Sequence, residues 1–208
     1  VGLNRDQIAD ANGRKLVDWA RLRVGLGEAA EYRAFLDANP AWPDRTLLNS
    51  MKEGGGWNSW TASDVRTLTA RAAAGWLADG VQPGERVLLM MRNIPEFHWF
   101  DLAAQLVRAT PVSIYNSSSP EEIQYLADHA EAEIAIIEDA GFLQRMLKIR
   151  DELPSLQKIF VLRPPDGDLP DGVYPASDLL AHGSADLAQL AAVFFTDTAT
   201  TEIYTSGT

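Results

Sequence analysis

The run "RVLLMMRNIPEFHWFDLAAQLVRATPVSIY", Arg86–Tyr115, contains a strand, a helix and a second strand in immediate succession. After its arginine, Arg86–Met91 is uniformly apolar, the pattern of a parallel strand covered on both faces. Asn93, Pro95 and Glu96 then open a helix that continues through "EFHWFDLAAQLV". "PVSIY", Pro111–Tyr115, reads as the next strand.

The alternation persists downstream. In "SSSPEE", Ser119, Pro120 and Glu122 form a capping box with proline at the first helical position, and Ile123, Leu126 and Ala130 share one face of the helix that follows. "EIAIIE" is a strand, Asp139 caps "AGFLQRMLKIRDEL", and "KIFVL" is a further strand. The spacing predicts a doubly wound α/β fold with a mainly parallel sheet flanked by helices. Its central strands are expected to include Val87–Met91, Val112–Tyr115, Ile134–Ile137 and Ile159–Leu162. "RPPDGDLPDG", Arg163–Gly172, is a surface loop rather than a domain boundary.

Upstream, "TASDVRTLTARAAAGWLADG" has Thr61 as N-cap, Asp64 at N3 and Gly80 beyond its end, with Val65, Leu68, Ala72 and Leu77 as an apolar stripe. Residues 1–60 are a less regular lead-in to the α/β units of 61–208. Within the lead-in, "RTLLNSMKEGGGWNSWT" predicts two short strands around the Gly54–Gly56 turn.

Composition narrows the functional classes. The 208 residues hold 29 acidic and 18 basic side chains, a net charge of −11, which argues against a general nucleic-acid binder. With no cysteine there is no disulfide framework, thiolate zinc site or cysteine nucleophile, which fits a cytoplasmic protein. No apolar stretch is long enough to span a bilayer. The first ten residues lack the apolar core of a signal peptide. The chain begins with Val1 instead of Met and closes on "EIYTSGT", so the expectation is a fragment of a longer protein.

Candidate sites are few. "GLGEAA", Gly25–Ala30, matches a dinucleotide pattern in letters, but the preceding "LVDWARLRV" looks helical and no βαβ unit follows. His98, His129 and His182 lack partners at metal or triad spacing, and Trp57, Trp60 and Trp99 read as packing residues. "NSSSP", Asn116–Pro120, has ligand-binding groups, but helix capping accounts for most of it. Thr205-Ser206-Gly207-Thr208 follows a run of α/β units, where ligands gather at strand C-terminal ends, and places hydroxyls around a glycine. It is no Walker A loop, and on spacing alone it also reads as an ordinary turn.

The longer run "GVQPGERVLLMMRNIPEFHWFDLAAQLVRATPVSIYNSSSPEEIQYLADHAEAEIAIIED", Gly80–Asp139, resembles the N-terminal domain of AMP-forming acyl-CoA synthetases. Within that adenylate-forming superfamily it is most similar to long-chain fatty-acid ligases. The resemblance covers at least residues 41–190, from "AWPDRTLL" through "GFLQRMLKIRDELPSLQKIFVL". It implies a partial N-terminal AMP-binding domain. Thr205, Ser206, Gly207 and Thr208 would hold ATP phosphates as the first half of the family's phosphate loop. The implied substrates are a fatty acid, ATP and CoA, with Mg2+; no catalytic or metal-binding residue is carried over onto this chain. The implied reaction is acyl-adenylate formation followed by transfer to CoA thiol, by a cytoplasmic enzyme that touches the inner membrane face at most peripherally. The 208 residues alone are expected to be inactive. Adenylation of an aryl or amino acid is the alternative within the superfamily, and a noncatalytic α/β binding module the alternative outside it.

One departure from the family lies at the end. The strand entering the phosphate loop should be apolar, but "TDTATTEIYT" carries Glu202, whose burial would cost several kcal/mol unless it is paired. "DTATTEIYT" also matches one reading frame of a common sequencing adapter, so Asp197–Thr205 is read either as foreign sequence or as a polar variant of that strand.

Overall fold

The computed structural model describes residue 34 and residues 36–190. They belong to two compact units, one within Val1–Thr67 plus Asp186–Thr208 and the other Leu68–Ala185. The nominal Gly25–Ala30 motif and the Thr205–Thr208 turn lie outside the described residues.

The first unit contains the predicted hairpin. Strands β1 (Thr46–Met51) and β2 (Trp57–Thr61) pair antiparallel around the glycine turn, with a register shift between Thr46 and Leu48. Trp42 and Ala62 are buried at its base, packed by Leu36 and Leu47. Trp57, expected to pack, is instead 63% exposed, because it sits in the pair next to the turn, far from that base.

Helix α1 (Ala62–Ala78) starts at the predicted Thr61 cap, and Asp64 closes a capping box with it. Asp64 Oδ2 accepts from the Thr61 backbone N–H at 2.8 Å, while the Asp64 N–H donates to Thr61 Oγ1 at 3.1 Å. The next elements are β3 (Arg86–Met90), α2 (Pro95–Leu106), β4 (Thr110–Ser113) and α3 (Pro120–Ala130). They lead into β5 (Ile134–Asp139), α4 (Ala140–Leu147), β6 (Lys158–Arg163), β7 (Val173–Pro175) and the single turn α5 (Ala176–Leu179). Strands β3 to β7 form one five-stranded parallel sheet in the order β4-β3-β5-β6-β7. The parallel sheet is as expected. β4 differs in standing at an end of the described sheet rather than its centre, which suits Pro111, a residue with no N–H to donate.

Alternate residues along each strand face opposite sides. On one side Leu88, Met90, Ala135, Ile137, Ile159 and Val161 pack under Ile123 and Ala127 of α3 and Phe142, Leu143 and Met146 of α4. On the other side Phe160 meets Trp76 of α1 edge-on, with ring centroids 6.4 Å apart, and Trp76 meets Phe100 of α2 at 5.8 Å. Trp76 is fully buried and donates its indole N–H to the Phe100 carbonyl at 3.5 Å. The buried face of α1 therefore centres on Ala72, Ala73 and Trp76, and Leu77, assigned to the stripe from sequence, is 47% exposed. Gly75 lets the backbone of α5 approach: a Cβ there would collide with the Leu179 carbonyl.

Ser119 and Asp139 cap as expected. The Glu122 N–H donates to Ser119 Oγ at 3.3 Å and the Ser119 N–H to Glu122 Oε2 at 2.9 Å. Asp139 Oδ1 accepts from the N–H groups of Gly141 and Phe142. For α2 the cap is Ile94, with no side-chain cap bond, and Pro95 sets the first turn.

Candidate functional site

The strand order makes β3 special. The chain leaves β3 toward α2 on one face of the sheet, whereas β4 and β5, its two neighbours, are followed by α3 and α4 on the other. Where connections from adjacent strands diverge, a crevice opens beyond the strands' C-terminal ends, and in open α/β sheets ligands bind there. β3 thus borders two crevices, one with β5 and one with β4.

Charge fills the β3–β5 crevice. Glu138 is 5% exposed. Its Oε2 accepts from the Arg92 backbone N–H at 2.7 Å, and its Oε1 from Arg92 Nη1 at 2.8 Å and Arg163 Nη1 at 2.9 Å. Arg92 Nη1 also reaches Asp139 Oδ2 at 2.7 Å, and Arg163 Nη2 reaches Glu96 Oε1 at 3.3 Å. Burial pushes the Asp139 carboxyl up, but the hydrogen bonds from Arg92 and from the Phe142 and Gly141 N–H groups outweigh it and hold it below the usual carboxylate range. Asp139 and Glu138 in turn keep the Arg92 guanidinium protonated. Sequence reasoning passed over this cluster. Its signal was legible, since the apolar strands β3, β5 and β6 each run at their C-terminal end into charge, as Arg92, Glu138-Asp139 and Arg163.

The β3–β4 crevice is open. A cavity of about 570 Å³ is lined by Met91, Arg92, Asn93 and Phe97 on one side and Ser113, Ile114, Tyr115 and Asn116 on the other. Its rim is held from below by α4: Arg145 Nη1 donates to the carbonyls of Asn116 at 2.8 Å and Ser118 at 3.0 Å. Phe142 carries both Arg92, 4.9 Å from its ring centroid, and Arg145, at 4.5 Å. The "NSSSP" stretch is therefore structural through Ser118 and Ser119, while Asn116 faces the crevice.

The histidines do not come together. His98 meets Phe97 edge-on, His129 stacks on Tyr125, and His182 lies in a loop. Among the described residues, no group of three or more His, Asp or Glu side chains could hold a metal ion. Glu138, Asp139 and Glu96 already carry guanidinium groups, so their cluster does not fit a magnesium site.

Residues 35–208 match the family model described as AMP-binding enzyme. The chain belongs to this family. It is 29% identical over 155 residues to the human long-chain-fatty-acid–CoA ligase ACSBG1, covering 74% of this chain and 21% of that protein. It is also 29% identical over 172 residues to the long-chain-fatty-acid–CoA ligase FadD15 of Mycobacterium bovis, covering 80% of this chain and 27% of the relative. This AMP-binding enzyme chain thus spans about a quarter of the length of these curated relatives. In fold it is similar to a crystal structure of Brucella canis acyl-CoA synthetase, with a TM-score of 0.59 at 18% identity over 68% of this chain and 25% of the other. No helix among the described residues is long and apolar enough to cross a membrane.

Proposed function

We propose that this chain is the N-terminal part of a ligase that activates a long-chain fatty acid as acyl-adenylate and passes the acyl group to CoA. The fatty-acid carboxylate attacks the ATP α-phosphate, releasing pyrophosphate, and the CoA thiol then displaces AMP. The observation that carries this reading is the family match across residues 35–208, together with the long-chain ligases among its relatives. Thr205–Thr208 would contribute hydroxyls and backbone N–H groups to the ATP phosphates, with Gly207 allowing close approach. Mg2+ would supply positive charge where negative charge develops on phosphate. Stabilising that transition state needs more than half a phosphate loop, so the 208 residues alone are proposed to be inactive.

Substrate class is tested by expressing the gene through its natural stop codon and following acyl-CoA formation across palmitate, shorter fatty acids, benzoate-type acids and amino acids. Palmitate is expected to be the best substrate. Preference for an aryl or amino acid would transfer the assignment to another branch of the superfamily, and no product from any acid would favour a noncatalytic binding module.

A further inference from the structure

We propose that Asp166 is a site of spontaneous covalent modification, at which the Gly167 amide closes on the aspartate side chain and converts the residue to isoaspartate. Aspartate is followed by glycine three times in the chain, at Asp79-Gly80, Asp166-Gly167 and Asp171-Gly172. The last two share one loop, each within the triplet Pro-Asp-Gly, so their local sequence is matched and the fold has to tell them apart. The proposal lies outside the ligase reading and does not depend on it.

The chemistry needs only water. The Gly167 nitrogen attacks the carboxyl carbon of Asp166; a C–N bond forms, and the amide proton leaves with the carboxyl hydroxyl as water. The product is a succinimide ring. Water adding to one ring carbonyl restores aspartate. Adding to the other, it leaves the backbone running through the former side-chain carboxyl, as isoaspartate. No oxidant or reductant takes part. The nitrogen must be free to swing onto the side chain, and the residue that carries it must have no Cβ in the way, which glycine satisfies.

Asp166 meets both conditions. Asp166 and Gly167 are exposed, and neither has a hydrogen bond or ion pair among the described residues. Gly167 has a φ of +95°, and a Cβ on it would meet nothing within 4 Å, so the peptide between the two residues is free to turn.

The other two pairs are held. The Val173 N–H donates to the Pro170 carbonyl at 3.0 Å, closing a turn, and the Gly172 carbonyl accepts from the Ile159 N–H at 2.9 Å. A Cβ on Gly172 would collide with the Arg150 guanidinium, which itself donates to the Gln157 carbonyl at 3.3 Å. The peptide joining Asp171 to Gly172 is thus fixed between β6, the start of β7 and Arg150. Asp79 Oδ1 is paired with Lys158 Nζ at 2.6 Å, and the Gly80 N–H donates to the Leu77 carbonyl at 3.2 Å. There the carboxylate and the nitrogen are both engaged.

The test is to hold the 208-residue chain in warm, mildly acidic buffer, folded or in urea, and to map isoaspartate with endoproteinase Asp-N. That protease cuts before aspartate but not before isoaspartate. Site resolution is needed because Asn12-Gly13 would also yield isoaspartate, with loss of ammonia. In the folded chain, cleavage before Asp166 should be lost with time, while cleavage before Asp171 and Asp79 persists. In urea, Asp166 and Asp171 should react alike. Arg150→Ala should let Asp171 react in the folded chain and leave Asp166 unchanged. Persistent cleavage before Asp166 in the folded chain, or equal loss before Asp166 and Asp171, would overturn the proposal.

Discussion

On the β5 side of β3, Arg92 and Arg163 converge on the buried carboxylate of Glu138, while on the β4 side Phe97, Ile114 and Tyr115 border an open cavity of about 570 Å³. Both crevices come from one topological fact, the divergence of connections on either side of β3. The contents differ because Glu138 and Asp139 terminate β5, whereas β4 runs on into Ile114, Tyr115 and Asn116. Topology creates the crevices, and the residues just past each strand decide whether one is a structural clamp or a space for a ligand.

The largest effect that could break this contrast is expected at Glu138. Glu138→Ala should cost about 3 kcal/mol in denaturant unfolding, the low end for a broken buried pair, because both arginine side chains are 52% exposed and rehydrate. A loss within about 0.5 kcal/mol would mean that the cluster is a surface decoration. Ser119→Ala, at the rim of the open side, should cost about 1 kcal/mol through its cap, read by the same unfolding measurement. Were stability in the full-length enzyme unchanged and ATP binding abolished, the rim would be functional before it is structural.

Asp139→Asn should have a smaller effect, with a defined pH dependence. A carboxyl held below its ordinary value contributes stability that is fully present above the unfolded pKa of about 3.9 and is lost as pH falls through the folded value. Parent and variant should therefore differ at pH 7 and converge in acid below that range. A difference that grows on acidification would contradict the sign. Tyr115→Ser, 81% exposed beside the open crevice, should change stability by less than about 0.5 kcal/mol.

How much of this was legible in the sequence follows from the range of the forces involved. Capping is local, so Thr61-Asp64, Ser119-Glu122 and Asp139 could be read directly and lie where expected. Buried parallel strands are apolar throughout, so β3, β5 and β6 were plain. Strand β7 and α5 were missed because three and four residues behind a proline-rich loop leave no periodicity to read. Leu77 was misplaced because the helical stripe turns on Trp76, whose burial depends on Phe100 and Phe160 from distant parts of the chain. That β3, β5 and β6 end in charge was legible, but the pairing of Arg92, Glu138 and Arg163 was not, because only the strand order brings the three together. Thr205–Thr208 lies outside the described residues, and its role remains the one the family resemblance implies.

ATP–pyrophosphate exchange driven by palmitate tests the central claim most directly, because it reads acyl-adenylate formation without requiring CoA. It should be run on the 208-residue chain and on the product of the gene extended through its natural stop codon. The account predicts palmitate-dependent exchange in the extended protein and none in the 208 residues. Exchange by the short chain would contradict the argument that half a phosphate loop cannot assemble the transition-state contacts, and an extended protein silent across a panel of fatty acids would contradict the ligase assignment.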